Sequence, residues 1–277
     1  MPAESDAARS SSRDPINNRG ISRALEALEL LAGEQKGLRV TDVAEALGVN
    51  KAIAFRTLAA LMEAGFVRQS TETQRYLATF KIASLGLRKL EGSRLEEWAQ
   101  EPLDRLAGQT RELIRLAVVE GDSLRWIAKA QGSFSRLIVD PAAGADVVLH
   151  ATATGKAWLS TLHETRVRSI LARRGLPPQT VRTETDMATL LAELADARRN
   201  GYATVVEEMD PGINAIAAPI LTAADGRSAV GTVSLAGPAV RLSPDVLHSF
   251  AGLLVQTARE LASHWPVYEH QANARSL

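Results

Sequence analysis

The chain of 277 residues contains no cysteine. This absence excludes disulfide bonds, thiolate catalysis and thiolate-bound zinc or iron–sulfur clusters, and it favours an intracellular, cytoplasmic protein. No stretch approaches the roughly eighteen uninterrupted apolar residues of a membrane helix, so we expect no membrane partner. The formal net charge is zero, and the charge of the whole chain therefore gives no sign of a nucleic-acid partner.

Length and composition predict two domains with substantial cores. Apolar residues make up 45% of the chain and charged residues 23%, as in ordinary soluble proteins. Residues 1–18 lack the apolar stretch of a signal peptide, and we interpret them as a disordered arm. Residues 267–277 are interpreted as a C-terminal tail.

Two helices are predicted near the N-terminus. Apolar residues recur at helical spacing over residues 19–34, which predicts an amphipathic first helix. Its apolar positions are Ile21, Leu25, Leu28 and Ala32. A second, short helix is predicted around residues 40–47, with Thr41 and Asp42 able to cap it and Gly48 to end it.

A third predicted helix follows at once and has two different faces. Asn50 caps it, and it runs to about Ala64 before the glycine at position 65 ends it. The face expected to pack inward carries Ala54, Leu58, Leu61 and Met62. The outward face carries Lys51, Ala52, Phe55, Arg56 and Ala59. Two short apolar segments around the polar turn QSTETQ then predict a β-hairpin wing.

Basic residues are concentrated in this region. Residues 50–81 contain five cations and two carboxylates, a local net charge of plus three. The cations are Lys51, Arg56, Arg68, Arg75 and Lys81. Because patches of this size are common on ordinary solvated surface, the charge alone does not identify a DNA-binding protein.

The remainder predicts a linker helix over residues 80–97 and an α+β domain over residues 98–266. The segments RELIRLAVVEG and SLRWIAKAQG alternate with the period of strands around a Gly121-Asp122 turn, and SRLIV is predicted as a third strand. Helices are predicted over ATGKAWLSTL, HETRVRSILARRG and residues 186–200. Three more strands, YATVVEE, INAIAAPILT and SAVGTVSLAG, precede a final helix opened by Ser243-Pro244.

Several segments resemble, in order and spacing, the signature stretches of IclR-type transcriptional regulators. They are SRALEALELL, VTDVAEALGVNKAIAFRTLAALMEAGFV, LHATATGKAWLS, GYATVVEEMDPGINAIAAPI and SLAGPAVRLS. The resemblance implies a winged helix-turn-helix over residues 19–79, a linker helix and a GAF-like effector-binding domain with an antiparallel sheet. It also implies a homodimer or dimer of dimers that binds double-stranded DNA at a palindromic operator, with affinity modulated by a small organic acid.

In such a protein the outward face of the third helix would lie in the major groove. Arg56 is a candidate for base or phosphate contact, and the helix start offers Asn50, Lys51 and Ala52. Phe55 either meets a thymine methyl group or seals the helix against the wing. The remaining candidates for DNA contact are Thr41 at the second helix and Arg68 and Arg75 on the wing. The alternative for each cation is a solvated surface charge.

The resemblance also places an effector pocket in the second domain. Its predicted lining is Val147, Ala153, Thr154, Val205, Ile213, Ala215, Ser234 and Ala236. The helix that begins near Thr152 suits a carboxylate, because its first amides are free. Val205, Ala215 and Ala236 stand where the family often has aspartate, cysteine and serine, which favours a larger or aromatic acid over a very small keto acid. The alternative is that these are simply packed core positions.

No catalytic, metal or cofactor site is predicted, and we do not expect an enzyme. The run ATATGKAW lacks residues that a phosphate-binding loop requires, and the five histidines show no metal-ligand spacing. Glu207 and Glu208, if adjacent on a strand, would point to opposite faces, which argues against paired acid and base catalysis. Trp126 and Trp158 are interpreted as core residues rather than ligand platforms, and His150 as a structural histidine.

The alternative function is an enzyme or ligand-binding module on a GAF-like domain without a DNA-binding role.

Overall fold

The computed structural model describes residues 19–93, 98–134, 137–139, 147–221 and 228–265. The chain forms two compact units, which divide between Gly92 and Ser93. The predicted N-terminal arm, the C-terminal tail and the last four residues of the predicted linker helix lie outside the described residues.

The first unit consists of helices and a two-stranded antiparallel sheet. In chain order its elements are α1 (Arg19–Gly33), α2 (Val40–Ala46), α3 (Lys51–Glu63), β1 (Val67–Gln69), β2 (Tyr76–Ala78) and α4 (Lys81–Ser93). One apolar cluster joins α1, α2, α3 and the wing, and it includes Leu31, Val43, Leu58 and Val67. The predicted order of helix, helix, turn, helix and hairpin is confirmed.

The start of α2 differs from the prediction. The helix begins at Val40, so the capping position is Arg39 and neither Thr41 nor Asp42 lies before the helix. Asp42 instead accepts a hydrogen bond from the Arg39 amide at 2.9 Å, from the third position of the helix. The prediction that Thr41 caps α2 is therefore wrong.

The wing is tied to the helices by a close backbone contact. Leu38 forms an isolated antiparallel bridge with Tyr76, which extends the hairpin by one short pairing. Gly37 precedes this bridge with φ of +68°, and a Cβ atom there would lie 2.5 Å from the Tyr76 carbonyl oxygen. Only glycine satisfies both demands, because it has no side chain and accepts positive φ.

The second unit is built around one five-stranded antiparallel sheet of order β4-β3-β7-β6-β5. Its strands are β3 (Leu113–Glu120), β4 (Ser123–Gln131), β5 (Ala203–Val206), β6 (Ile213–Leu221) and β7 (Ala229–Pro238). Its helices are α5 (Gln100–Thr110), α6 (Ala153–Leu159), α7 (Glu164–Arg174), α8 (Met187–Asn200), α9 (Pro244–Ser249) and α10 (Ala251–His264).

Helices cover both faces of the sheet. One face packs against α5, α9 and α10 through a large cluster that includes Leu103, Ile114, Ile216, Leu235 and Leu254. The opposite face packs against α6, α7 and α8 through two smaller clusters. Each strand contributes alternate residues to the two faces, so the predicted α+β fold with an antiparallel sheet is confirmed.

Three local predictions in this unit are wrong. Residues 137–139, the described part of the predicted strand SRLIV, form no strand, and side chains of Gln131 and Arg241 donate to the Val139 and Leu137 carbonyls. The predicted final helix is two helices, with a break at Phe250. Glu207 and Glu208 lie beyond the end of β5 rather than on it.

Candidate functional site

Helix α3 is fixed at both ends by its own sequence. The Asn50 side chain accepts a hydrogen bond from the Ile53 amide at 2.9 Å, which confirms Asn50 as the N-cap. After the helix, Gly65 adopts φ of +75° and the chain turns into the wing. The residues between these signals are therefore held in one defined helix.

The inward face of α3 is a tightly packed seam. Ala54 and Leu58 are fully buried, and Leu61 is 6% exposed. Met62, which was predicted to lie on this face, is 38% exposed and lies at its edge. The seam holds α3 against the other helices of the unit and so determines which face points outward.

The outward face is bare. Lys51, Ala52 and Arg56 are all exposed, and so is Ala59. Phe55 is 55% exposed, which favours an outward role for it over sealing the helix against the wing. No ion pair engages Lys51 or Arg56 among the side chains that the structure describes. These groups are consequently free to meet an external anion.

The other candidates for DNA contact differ in exposure and in the hydrogen bonds that they already form within the protein. Arg68 on β1 and Thr41 on α2 are exposed. Arg75 is half-buried and donates from Nη1 to the Gly37 carbonyl oxygen at 2.8 Å. Arg75 thus braces the tight turn before α2, and its contact with DNA stays a prediction.

The predicted effector residues on the sheet share one face. Val205, Ala215 and Ala236 are directly opposite one another on three adjacent strands, and this row continues to Leu113. The next row along the same face comprises Ala203, Ala217, Ser234 and Arg115. Ile213 lies two residues before Ala215 and is on the same face.

Helix α6 packs on this face at close range. Ala153 and Ala157 form one apolar cluster with Val205, Ala217 and Ala215. A Cβ atom at position 155 would lie 2.2 Å from the Leu149 carbonyl oxygen, so glycine is required there. Thr154 is 2% exposed, and Val147 is buried in a neighbouring cluster on the same side of the sheet. Six of the eight predicted effector residues are thus almost wholly buried.

The amides at the start of α6 are partly used by the protein itself. Thr152 caps the helix, and its hydroxyl oxygen accepts a hydrogen bond from the Gly155 amide at 3.0 Å. The same hydroxyl donates to the Val148 carbonyl oxygen. The amide of Gly155 is therefore not free for a carboxylate.

A buried ion cluster lies at the same helix and escaped the sequence analysis. The ammonium of Lys156 is 2.6 Å and 2.7 Å from the two carboxylate oxygens of Glu208 and 2.8 Å from Glu193. Burial raises the pKa of the Glu208 carboxyl, and the Lys156 charge opposes that rise. The run ATATGKAW, which contains Lys156, does not predict a phosphate-binding loop, and no sequence spacing links Lys156 to residues so distant along the chain.

Two of the residues interpreted as structural are confirmed in that role. His150 is buried, and its Nε2 lies 3.0 Å from the Pro177 carbonyl oxygen. Trp158 is 1% exposed in the core under α7 and α8. Trp126, in contrast, is partly exposed and stacks against the guanidinium of Arg115, whose central carbon is 3.9 Å from the ring centroid.

Two other kinds of feature are absent from the described ranges. No group of three or more His, Asp or Glu side chains there could hold a metal ion. None of the helices there is both long enough and apolar enough to cross a bilayer.

Comparisons with known proteins agree with this architecture. The family model described as "Bacterial transcriptional regulator IclR C-terminal" matches residues 88–263, and the model "IclR helix-turn-helix domain" matches residues 20–71. The HTH-type transcriptional regulator BhcR of Paracoccus denitrificans (strain Pd 1222) is 32% identical, over 88% of this chain and 86% of the relative. The transcriptional repressor IclR of Escherichia coli (strain K12) is 26% identical, over 87% and 88% of the two chains.

Solved structures show the same fold. The crystal structure of the Thermotoga maritima IclR covers 88% of this chain and 97% of its own, with a TM-score of 0.66 and 25% identity. An IclR homolog from Microbacterium hydrocarbonoxydans, complexed with 4-hydroxybenzoate, has a TM-score of 0.69 at 20% identity and covers 88% and 98% of the two chains. The helix-turn-helix domain and the C-terminal sheet domain both match IclR family models, and this chain belongs to the IclR family of bacterial transcriptional regulators.

Proposed function

We propose that the outward face of α3 binds the major groove of a palindromic double-stranded operator. The observation that carries this proposal is the bare cationic face, opposite the buried seam of Ala54, Leu58 and Leu61. A helix fits the major groove, and the guanidinium of Arg56 can bind a guanine edge through two parallel hydrogen bonds. Asn50, Lys51, Ala52 and Phe55 are the other proposed contacts of this helix.

The wing and the second helix would contribute phosphate contacts. Arg68 is exposed on β1 and is proposed to reach the backbone or the minor groove. Thr41 is proposed to donate to a phosphate from the first turn of α2, in place of the hydrogen bond that its hydroxyl donates to the Asp42 carboxylate at 3.2 Å. Arg75 is the weakest of these candidates, since its Nη1 already donates to Gly37.

We further propose that a small organic acid binds between α6 and the sheet of the second unit. On β5, β6 and the facing part of β7, the two rows beneath α6 carry small side chains that offer a largely apolar surface, and Arg115 lies at the β3 end of the second row. A homolog with the same fold holds 4-hydroxybenzoate, which supports an aromatic acid as the class of effector. Because the predicted lining is almost closed, binding requires α6 or a neighbouring loop to move.

The proposed assembly is a homodimer or a dimer of dimers in the cytoplasm, bound to two half-sites. A two-fold operator requires two copies of α3 related by the same symmetry. The exposed apolar side chains of α1, Ile21 and Leu25, support contact with a second copy, being 60% and 56% exposed. Sedimentation analysis should give at least twice the 29.7 kDa mass of one chain.

The proposed mechanism is a population shift between two arrangements of the DNA-binding units. An acid that binds one arrangement more tightly increases the population of that arrangement and so changes operator affinity. The alternative, a ligand-binding module or enzyme without DNA binding, is disfavoured by the intact wing and bare α3 face.

A mobility-shift assay tests the regulator directly. The full chain should bind the DNA upstream of its own gene, and benzoate or 4-hydroxybenzoate should change that affinity more than glyoxylate does. A stronger response to glyoxylate would refute the aromatic class. Failure to bind this DNA at low salt, with or without any acid, would refute the regulator itself.

A further inference from the structure

Arg115 is a cation inside the sheet domain that forms no salt bridge with any described residue, although the negative charge of Asp210 acts on it. It lies on β3 directly opposite Ser234, on the face that carries the predicted effector residues. Its guanidinium stacks on the ring of Trp126, at 3.9 Å from the guanidinium carbon to the ring centroid. Within the part of the chain that the structure describes, its Nε is buried and has no hydrogen-bond partner.

Two further donors without partners lie beside it. The indole Nε1 of Trp126 and the hydroxyl of Thr232 are also buried and lack hydrogen-bond partners among the described residues. Trp126 and Thr232 both stand opposite Ala117, so the two side chains flank one point of the same sheet face. That row is two residues from the row of Arg115, a distance of about 6.6 Å along a strand.

Without a bound ligand, these unpaired groups lower the free energy of unfolding of the protein. A buried donor without a partner costs roughly 1–3 kcal/mol, and an unpaired charge costs more. Burial lowers the pKa of Arg115 to about 10, an effect that the negative charge of Asp210 opposes. The guanidinium is therefore still a cation at neutral pH, and three donors in two neighbouring rows of one sheet face lack an acceptor among the described residues.

We propose that Arg115, Trp126 and Thr232 form the anion-binding end of the effector site. The carboxylate of the acid would accept hydrogen bonds from the guanidinium, in the parallel geometry that suits these two groups. The apolar body of the acid would then extend past Ser234 over the small side chains of the two rows. This inference rests on the proposed function, because it assumes that the sheet domain binds an organic acid.

The assignment differs from the site expected at the start of α6. That helix is only seven residues long, and Thr152 already uses one of its first amides. Arg115 supplies a full charge instead, from the strand next to Ser234. The sequence analysis missed Arg115 because one arginine in an alternating strand has no distinguishing neighbours, and only the sheet register brings it to the site.

Isothermal titration of the full chain with benzoate and with neutral benzamide tests the proposal. In Arg115→Met, which keeps an unbranched aliphatic stem and removes the guanidinium with its charge, benzoate affinity should fall by at least about tenfold while benzamide affinity stays unchanged. Arg125→Met is the matched control on the same hairpin, where Arg125 pairs with Glu120 at the surface, and it should bind benzoate like the wild type. Trp126→Phe should weaken benzoate binding less, since it keeps the stacking and removes one donor.

Measurements of melting temperature and DNA binding distinguish a ligand-binding role of Arg115 from a structural one. Arg115→Met should melt at the wild-type temperature or above it without ligand, because it removes an unpaired buried charge. A lower melting temperature with unchanged benzoate affinity would overturn the proposal and make Arg115 structural, while the acid effector would stand. If the wild type binds no carboxylate among benzoate, 4-hydroxybenzoate, pyruvate and glyoxylate, both the acid effector and this site are refuted, and the mobility shift still decides whether the protein binds DNA.

Discussion

At the scale of single residues, Lys156 offers a sharp test of the second unit. Its ammonium is buried between Glu208 and Glu193, and its neutralisation would leave the Glu208 carboxylate buried without its cation. Lys156→Met should therefore lower the free energy of unfolding by about 3–5 kcal/mol, measured by urea denaturation.

The double variant Lys156→Met/Glu208→Leu provides the control. It should be more stable than Lys156→Met alone, since the carboxylate left behind, that of Glu193, is partly exposed to solvent. Equal stability of the wild type and Lys156→Met would show that the buried pair does not hold α6 in place.

His150 makes stability depend on pH in a defined window. Burial lowers the pKa of its imidazole below the ordinary value of 6.5, and the nearby Lys156 lowers it further, whereas the hydrogen bond to Pro177 opposes the shift. As the pH falls below about 6.5, the unfolded chain takes up this proton before the folded chain does. The wild type should consequently lose stability between pH 7 and pH 5.5.

Urea unfolding at these two pH values checks the sign. His150→Gln should have a smaller loss, because its side chain does not titrate. His264→Gln, at the exposed end of α10, should keep the wild-type loss. Identical pH dependence in all three proteins would remove His150 as the cause.

Single residues are also where the sequence was least informative. Asn50 was predicted as a cap because its type and its place before a periodic segment are local signals. Lys156 and Arg115 depend on partners that fold topology brings together from distant parts of the chain. No local pattern records those partners, and so neither residue could be assigned in advance.

At the scale of elements, two substitutions of Asn50 distinguish its role as a helix cap from its proposed contact with DNA. Its side chain accepts from the Ile53 amide, and the same residue lies at the start of the proposed reading helix. Asn50→Ala should lower the stability of the first unit by about 1 kcal/mol. Asn50→Asp should keep that stability, since aspartate caps equally well, but weaken DNA binding by placing a negative charge near the phosphates.

Thermal unfolding should therefore show a loss of stability in Asn50→Ala and none in Asn50→Asp. A mobility-shift assay should show weaker DNA binding by Asn50→Asp. If Asn50→Asp binds DNA as tightly as the wild type, the start of α3 does not approach the phosphate backbone.

Elements with strong end signals were predicted well. The caps and glycines around α3 and α8 gave their extents to within a residue or two, and the Gly121-Asp122 turn gave the β3–β4 hairpin. Residues 137–139 resembled a strand only by apolar composition, and side chains rather than a neighbouring strand bind two of their carbonyls. The break at Phe250 is not marked by a proline, and Gly252 two residues later lies within the following helix.

At the scale of the whole molecule, the class of fold and the two units followed from the order of motifs. The buried face of α1 could not be predicted from the sequence. Helical spacing shows that a helix has an apolar face, but it does not show which residues pack against the rest of the unit. Ala27 and Leu31 are buried, whereas the larger Ile21 and Leu25 are exposed. In a dimer, contact with a second copy of the chain would account for the exposure of Ile21 and Leu25 in one chain. The sequence of a single chain does not show such a contact.

The bare face of α3 is the surface proposed to bind DNA, and the proposed regulatory function requires this contact. Fluorescence anisotropy with the operator region of its own gene, over a range of salt concentrations, measures this directly. The variant Lys51→Ala/Arg56→Ala should bind at least about tenfold more weakly, and its salt slope should be smaller by roughly 0.9 for each phosphate that the protein no longer neutralises. The control Lys89→Ala removes an exposed cation from α4 and should bind like the wild type. Wild-type affinity and salt slope in Lys51→Ala/Arg56→Ala would contradict the account.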